Sequence, residues 1–120
     1  MESEILRIFS LFSDAAPSSA QVIETSHGDS DFRAAVIIET APGPKYVLKI
    51  ADNDFTFPEK IAVWQRTADE YRKLGVFCPR IFRDRTGGFH FVEFRGRRCA
   101  AHPTAGSQQS WDRRVRPRLV

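Results

Sequence analysis

Lys49 is the residue whose surroundings most restrict what it can do, because it stands near the end of Lys45-Tyr46-Val47-Leu48-Lys49-Ile50, among apolar neighbours. A lysine flanked by Val47, Leu48 and Ile50 cannot lie against a core unpaired, since burying a lone ammonium is too costly. Held by a carboxylate, it suits the α and β phosphates of a nucleotide. The structural alternative is an edge lysine whose ammonium stays in water. Two separated features point to the same chemistry. His27-Gly28-Asp29 is a glycine-containing tip, although a turn needs one glycine anyway and no G-x-G-x-x-G is present. A long helical stretch after Lys49 carries Glu59 and Glu70. The remaining reactive side chains converge on nothing. Cys78 and Cys99 sit in no CxxC and near no second metal ligand, so both are expected as buried or half-buried thiols. His27, His90 and His102 have no serine or cysteine nucleophile placed beside them in a recognisable turn, which argues against a hydrolase.

These residues need elements to hold them. Glu4 to Phe12 places Ile5, Phe9 and Phe12 on one helical face, and Ser13 to Ser19 is a breaker-rich connector. Gln21 to Thr25 and Phe32 to Thr40 read as two strands around the polar segment Ser26 to Asp31, a β-hairpin. Ala41-Pro42-Gly43-Pro44 is a second turn, and Lys45 to Ile50 a third strand, with Tyr46, Leu48 and Ile50 on one face and Val47 and Lys49 on the other. Thr56 with Glu59 three residues on forms a capping box for a helix running to Leu74, with Pro58 in its first turn and Gly75 as its stop. Ile61, Trp64, Ala68, Tyr71 and Leu74 make its core-facing stripe. Arg80 to Arg83 and Phe89 to Phe94 complete the order helix, β, β, β, helix, β, β. The expected class is α+β, an antiparallel five-stranded sheet with one long packed helix and a short N-terminal helix.

Lys45-Tyr46-Val47-Leu48-Lys49-Ile50, then a helix, then Gly75-Val76-Phe77-Cys78-Pro79-Arg80-Ile81, then a strand ending Phe91-Val92-Glu93-Phe94, resembles the N-terminal lobe of aminoglycoside phosphotransferase and choline-kinase-like enzymes, over roughly Gln21 to Cys99. The resemblance implies that Lys49 meets the phosphates of ATP. It makes Ser26 to Asp31, with Ser26, His27, Gly28 and Asp29, the loop over them. Glu93-Phe94-Arg95 becomes the start of a linker whose backbone meets adenine. Family members pair the strand lysine with a helix glutamate; Glu70 is the better candidate, because Glu59 has the capping box to serve. The family's acceptor-positioning aspartate and its Mg²⁺ ligands come from a helical second lobe. No H-x-D followed by Asn occurs after Phe94, so the chain is expected to be a truncated kinase lobe, inactive alone and binding ATP weakly. The bared lower edge of such a lobe, around Phe77, Phe91 and Phe94, would invite the missing lobe or self-association.

Composition and charge bound the rest. A length of 120 residues with 42% hydrophobic side chains fits one small domain. No apolar run approaches the roughly 20 residues needed to cross a bilayer. Met1-Glu2-Ser3-Glu4 is acidic where a signal peptide needs positive charge, making the cytosol the expected compartment. Residues 1–94 carry eleven Lys and Arg against fourteen Asp and Glu, a net −3, while residues 95–120 carry seven Arg against Asp112, a net +6. The boundary is therefore expected after residue 100, with 1–100 the ATP-binding domain and 101–120 a basic, disordered or frameshifted tail. Arg113, Arg114, Arg116 and Arg118 support the alternative function, an interaction or nucleic-acid-binding module. His102 to Ser110 lacks the fixed charged surface that such recognition needs, which makes nucleic acid the weaker partner.

Overall fold

The computed structural model describes residues 2–41 and 43–105. Its elements are α1 (Ser3–Ser10), β1 (Ser19–Glu24), β2 (Phe32–Glu39), β3 (Lys45–Asp52), α2 (Pro58–Lys73), β4 (Arg80–Ile81), β5 (Phe91–Phe94) and β6 (Arg97–Ala105). The class is α+β, as expected. All strand pairs are antiparallel, in the order β1-β2-β3-β6-β4, and β5 also pairs with β6. No helix among the described residues is long and apolar enough to cross a membrane.

The sixth strand corrects both the strand count and the proposed boundary. His102-Pro103-Thr104 looks like a turn in sequence, yet it lies in β6, paired with Lys49, Leu48 and Val47 of β3. The proline is tolerated for a local reason. Its carbonyl accepts from the Phe82 N–H on the side where β4 has ended and β5 has not begun, so no ladder partner requires the missing donor. The division after residue 100 therefore falls inside a strand. Residues 106–120, with the arginine cluster, lie outside the described residues.

Each face of the sheet has its own cover. Along β2 every second residue from Phe32 to Ile38 is buried, and this face meets Ile5, Ile8 and Phe9 of α1 together with Leu48, Ile50, Phe94, Cys99 and Ala101. Phe12 and Ala15, from the segment after α1, pack against the same core. On the other face, Ile61 of α2 joins Phe89 and Ala100, with Trp64 and Ile81 at their side.

Three local expectations about α2 and β5 change. Phe57, not Thr56, caps α2, and it does so without a side-chain hydrogen bond. Pro58 at the first helical position forces its predecessor to be extended, which takes the place of the capping box. Further on, Tyr71 and Leu74 are exposed and Gln65 is buried, because β4 beneath them is only two residues long and the last turns overhang the sheet. Gln65 is satisfied by Asp69 and by the Arg83 guanidinium. Finally, Glu93-Phe94-Arg95 is no linker: Arg95 and Gly96, both at positive φ, turn β5 directly into β6, the backbone of a tight hairpin. Arg95 is held there by Glu4, which accepts from its N–H, and by Glu2, which accepts from its guanidinium.

These placements separate two substitutions that look alike in sequence. Ile38 is fully buried at the α1 core whereas Leu74 is 77% exposed. Urea denaturation should show Ile38→Ala losing about 2–5 kcal/mol and Leu74→Ala changing by no more than about 0.5 kcal/mol.

Candidate functional site

The site begins with the two faces of β3. Leu48 and Ile50 fill the α1 core, so Val47, Lys49 and Ala51 point to the side of α2. Their registered neighbours share that face. Ile37, Ala35 and Arg33 of β2 stand opposite Val47, Lys49 and Ala51, Ile23 of β1 stands opposite Ala35, and Thr104, His102 and Ala100 of β6 lie on the other side of β3. Among the described residues only the β6 side is roofed: Ala100 packs under Ile61, and the His102 ring meets the Trp64 indole edge to face at 6.2 Å. Towards β1 the cover stops. Ile23 is exposed, Ala35, Ile37, Val47 and Ala51 are half-buried, and Lys49, beside His102 at the rim, is exposed.

Lys49 and Glu70 are not brought together. Glu70 lies in solvent on α2, paired to Lys73 at 2.9 Å with its side chain 67% exposed. Lys49 forms no ion pair among the described residues. The demand for a carboxylate partner rested on burial, and at the open end of the face water meets it instead. Glu59 is exposed at the start of α2 and makes no capping contact. The open groove beside Arg66, Glu70, Tyr71 and Leu74 belongs to the outer surface of α2 and does not include Lys49.

The Ser26 to Asp31 loop lies at the Asp52 end of this face, since Phe32 registers with Asp52. It is tied rather than loose. Ser26 Oγ accepts from the Arg33 N–H at 3.0 Å and donates to the Arg33 carbonyl, the His27 N–H donates to the Asp31 carbonyl, and the Asp31 N–H to the Gly28 carbonyl. Gly28 takes φ +92° with no atom within 4 Å of a Cβ built on it, so backbone conformation alone requires glycine there. Arg97 reaches the Asp29 carbonyl and the Asp52 carboxylate, and its guanidinium stacks on Phe32. Asp31 accepts two hydrogen bonds from Arg33, each at 2.9 Å, and one from Asn53. The Arg33 bonds hold its carboxyl below the ordinary range, although desolvation opposes them.

The remaining predicted positions serve the fold. Phe94 is fully buried against Phe32, Phe91 is exposed beneath the Arg98 guanidinium, and Glu93 is exposed on β5. Cys99 is buried and its thiol is pushed up to about 11, chiefly by burial, while Cys78 is half-buried; both are free. His102 and Arg33 are the residues that sequence reasoning passed over. Arg33 was signalled by alternation, since it shares a parity with Ala35 and Ile37 away from the buried face of β2. His102 had no local signal, because only strand pairing puts it beside Lys49.

Neither a protein-family model, nor a curated protein, nor a solved structure matches the chain.

His102 gives the site a pH dependence. It is 5% exposed, its Nδ1 is buried without a hydrogen-bond partner among the described residues, and burial, then the charge of Lys49, lower its pKa from 6.5 to about 4. The unfolded chain therefore binds the proton more readily than the native one. Stability from the neutral imidazole is fully present above about pH 6.5 and is lost as pH falls through about 4, a difference of about 3 kcal/mol. Urea midpoints measured across that window should fall with acid in the wild type, and His102→Phe should flatten the profile.

Proposed function

We propose that this chain carries the ATP-binding half of a small-molecule phosphotransferase of the aminoglycoside phosphotransferase and choline-kinase-like type. The observation that carries this reading is the open half-face of the sheet. A floor of Ile23, Ala35, Ile37 and Val47 ends at Lys49, which forms no ion pair among the described residues, with the Ser26 to Asp31 loop at the Asp52 end of the same strands. An apolar floor suits a base and ribose, and an exposed ammonium beside it suits a phosphate. An antiparallel sheet with one long helix, α2, between β3 and the later strands supports the reading, since the resemblance implies a sheet and helix of this kind.

The division of labour follows. Lys49 contacts the α and β phosphates, and the loop, through Gly28 and its neighbouring N–H groups, lies over them. Without a helix carboxylate to fix it, Lys49 keeps its rotamer freedom until a phosphate arrives, so binding is weak. Among the described residues no three His, Cys, Asp or Glu side chains gather as metal ligands. The residues described do not fit a Mg²⁺ site. Acceptor positioning and the general base belong to acids outside this region.

Calorimetric titration of the purified chain with ATP should give weak binding that Lys49→Ala reduces about tenfold, the loss of one charge-assisted contact. With radiolabelled ATP, Mg²⁺ and a panel of aminoglycosides and choline, no label should move to acceptor. ATP affinity indifferent to Lys49, or absent altogether, overturns the nucleotide reading; transfer above background that Lys49→Ala abolishes overturns the expectation of inactivity.

A further inference from the structure

Arg33 lies on the same face as Lys49. Its registered partner is Ala51, and that of Lys49 is Ala35, so the two cations are diagonal neighbours across the β2-β3 ladder, with Cα atoms about 7–8 Å apart. Both side chains are long enough to converge on one ligand that carries successive phosphoryl groups. Lys49 is a point charge with no ion pair among the described residues. Arg33 is already arranged: Nε and Nη2 donate in parallel to the two oxygens of Asp31 at 2.9 Å each, and the guanidinium sits over the Phe55 ring at 5.1 Å from its centroid. That fork is the geometry in which arginine binds carboxylate and phosphate alike.

Asp31 can give up the guanidinium without being left bare. Its Oδ1 also accepts from Asn53 Nδ2 at 2.9 Å, and its backbone stays hydrogen-bonded to His27 and Gly28. The ion pair is partly open to water, with the Arg33 side chain 41% exposed, a setting in which such pairs contribute little and exchange readily. Phe55, from the β3–α2 connection, keeps the guanidinium plane oriented during the exchange.

We infer that Arg33 is a second phosphate-binding cation of the site, and that Asp31 occupies its fork as a built-in substitute that an incoming polyphosphate displaces. The inference rests on the nucleotide reading above and adds a specificity to it. Lys49 alone meets one phosphoryl group, whereas Lys49 with Arg33 favours ligands with two or more, so the exchange selects tri- and diphosphates over monophosphates. It also couples binding to the loop, because releasing Asp31 from Arg33 removes the side-chain tie between Ser26–Asp31 and β2 while leaving the Ser26 tie in place.

The test titrates the full chain by calorimetry with ATP, inorganic tripolyphosphate and adenosine. Asp31→Asn keeps the shape and removes the competing charge; it should tighten ATP and tripolyphosphate about fivefold and leave adenosine unchanged. Arg33→Gln should weaken both polyphosphates about tenfold, and in that background Asp31→Asn should give no gain, the coupling expected of groups that share one partner. Arg33→Lys, which keeps the charge but not the fork, should recover less than half of that loss in logarithmic terms, and it stands in if Asp31→Asn does not fold. A gain from Asp31→Asn that persists with Arg33→Gln reports general electrostatics and overturns the role of Arg33, as does an unchanged affinity in a variant melting like the wild type. Either result with ATP still lost in Lys49→Ala leaves the nucleotide reading standing. Failure of the wild type to bind ATP or tripolyphosphate sinks both.

Discussion

One helix cannot roof a sheet five strands wide. Strands lie about 4.8 Å apart and a helix with its side chains spans about 10 Å, so α2 covers about two strands of the face it packs on. It spends that coverage on the β6 side, through Ile61 and Trp64. The opposite face escapes the limit because α1 is joined by Phe12 and Ala15 of the following segment, which spread over the same core. Among the described residues, the uncovered half-face over β1, β2 and β3 is thus a consequence of element count, and it is where Lys49 and Arg33 stand without burial. Under a second helix both would have needed buried carboxylates.

The boundary between roofed and open strands also divides the charge. His102 and Lys49 are registered neighbours on adjacent strands, one beneath Trp64 and the other at the rim. Burial first, and the charge of Lys49 second, keep the His102 imidazole neutral, while Lys49 at the rim stays in water. The buried imidazole then serves as an uncharged wall beside the ammonium. At the far end the pattern inverts: Arg33 and Arg97 both find carboxylates, Asp31 from the loop and Asp52 from the end of β3.

Much of this architecture was legible in the chain. The Val36-Ile37-Ile38 run marked one strand, and the alternation of Tyr46 to Ile50 identified another together with its faces, including the face of Lys49, because period-two burial is a local property of sequence. Glycine at Gly28 and proline at Pro58 marked the loop and helix start for conformational reasons that hold in any context. The failures share a different cause. β6 was hidden because Pro103 is acceptable only where β4 and β5 leave a gap, a fact about three strands at once. Glu70 was preferred because Glu59 was given to a capping box, whereas neither carboxylate reaches Lys49: the cap makes no side-chain bond and Glu70 pairs with Lys73. The partner of Lys49 was inferred from the apolarity of its neighbours in sequence, whereas its exposure is set by the distance of α2.

The ties of the Ser26 to Asp31 loop fix what kind of element it can be. Each is a partly exposed contact: a serine hydroxyl on backbone, a surface ion pair, and an arginine on a carbonyl at 3.3 Å. Contacts of this type contribute about 1 kcal/mol or less apiece and do not sum to a rigid lid. They are nonetheless mutually consistent, since Ser26, Asp31 and Arg33 close on one another within eight residues and Gly28 absorbs the turn. The loop therefore has a defined resting shape that costs little to leave. A floor that is rigid because it is a sheet, beneath a loop that is ordered yet cheaply exchanged, can admit a ligand without unfolding anything, and the free energy of opening is drawn from one side-chain pair instead of the core.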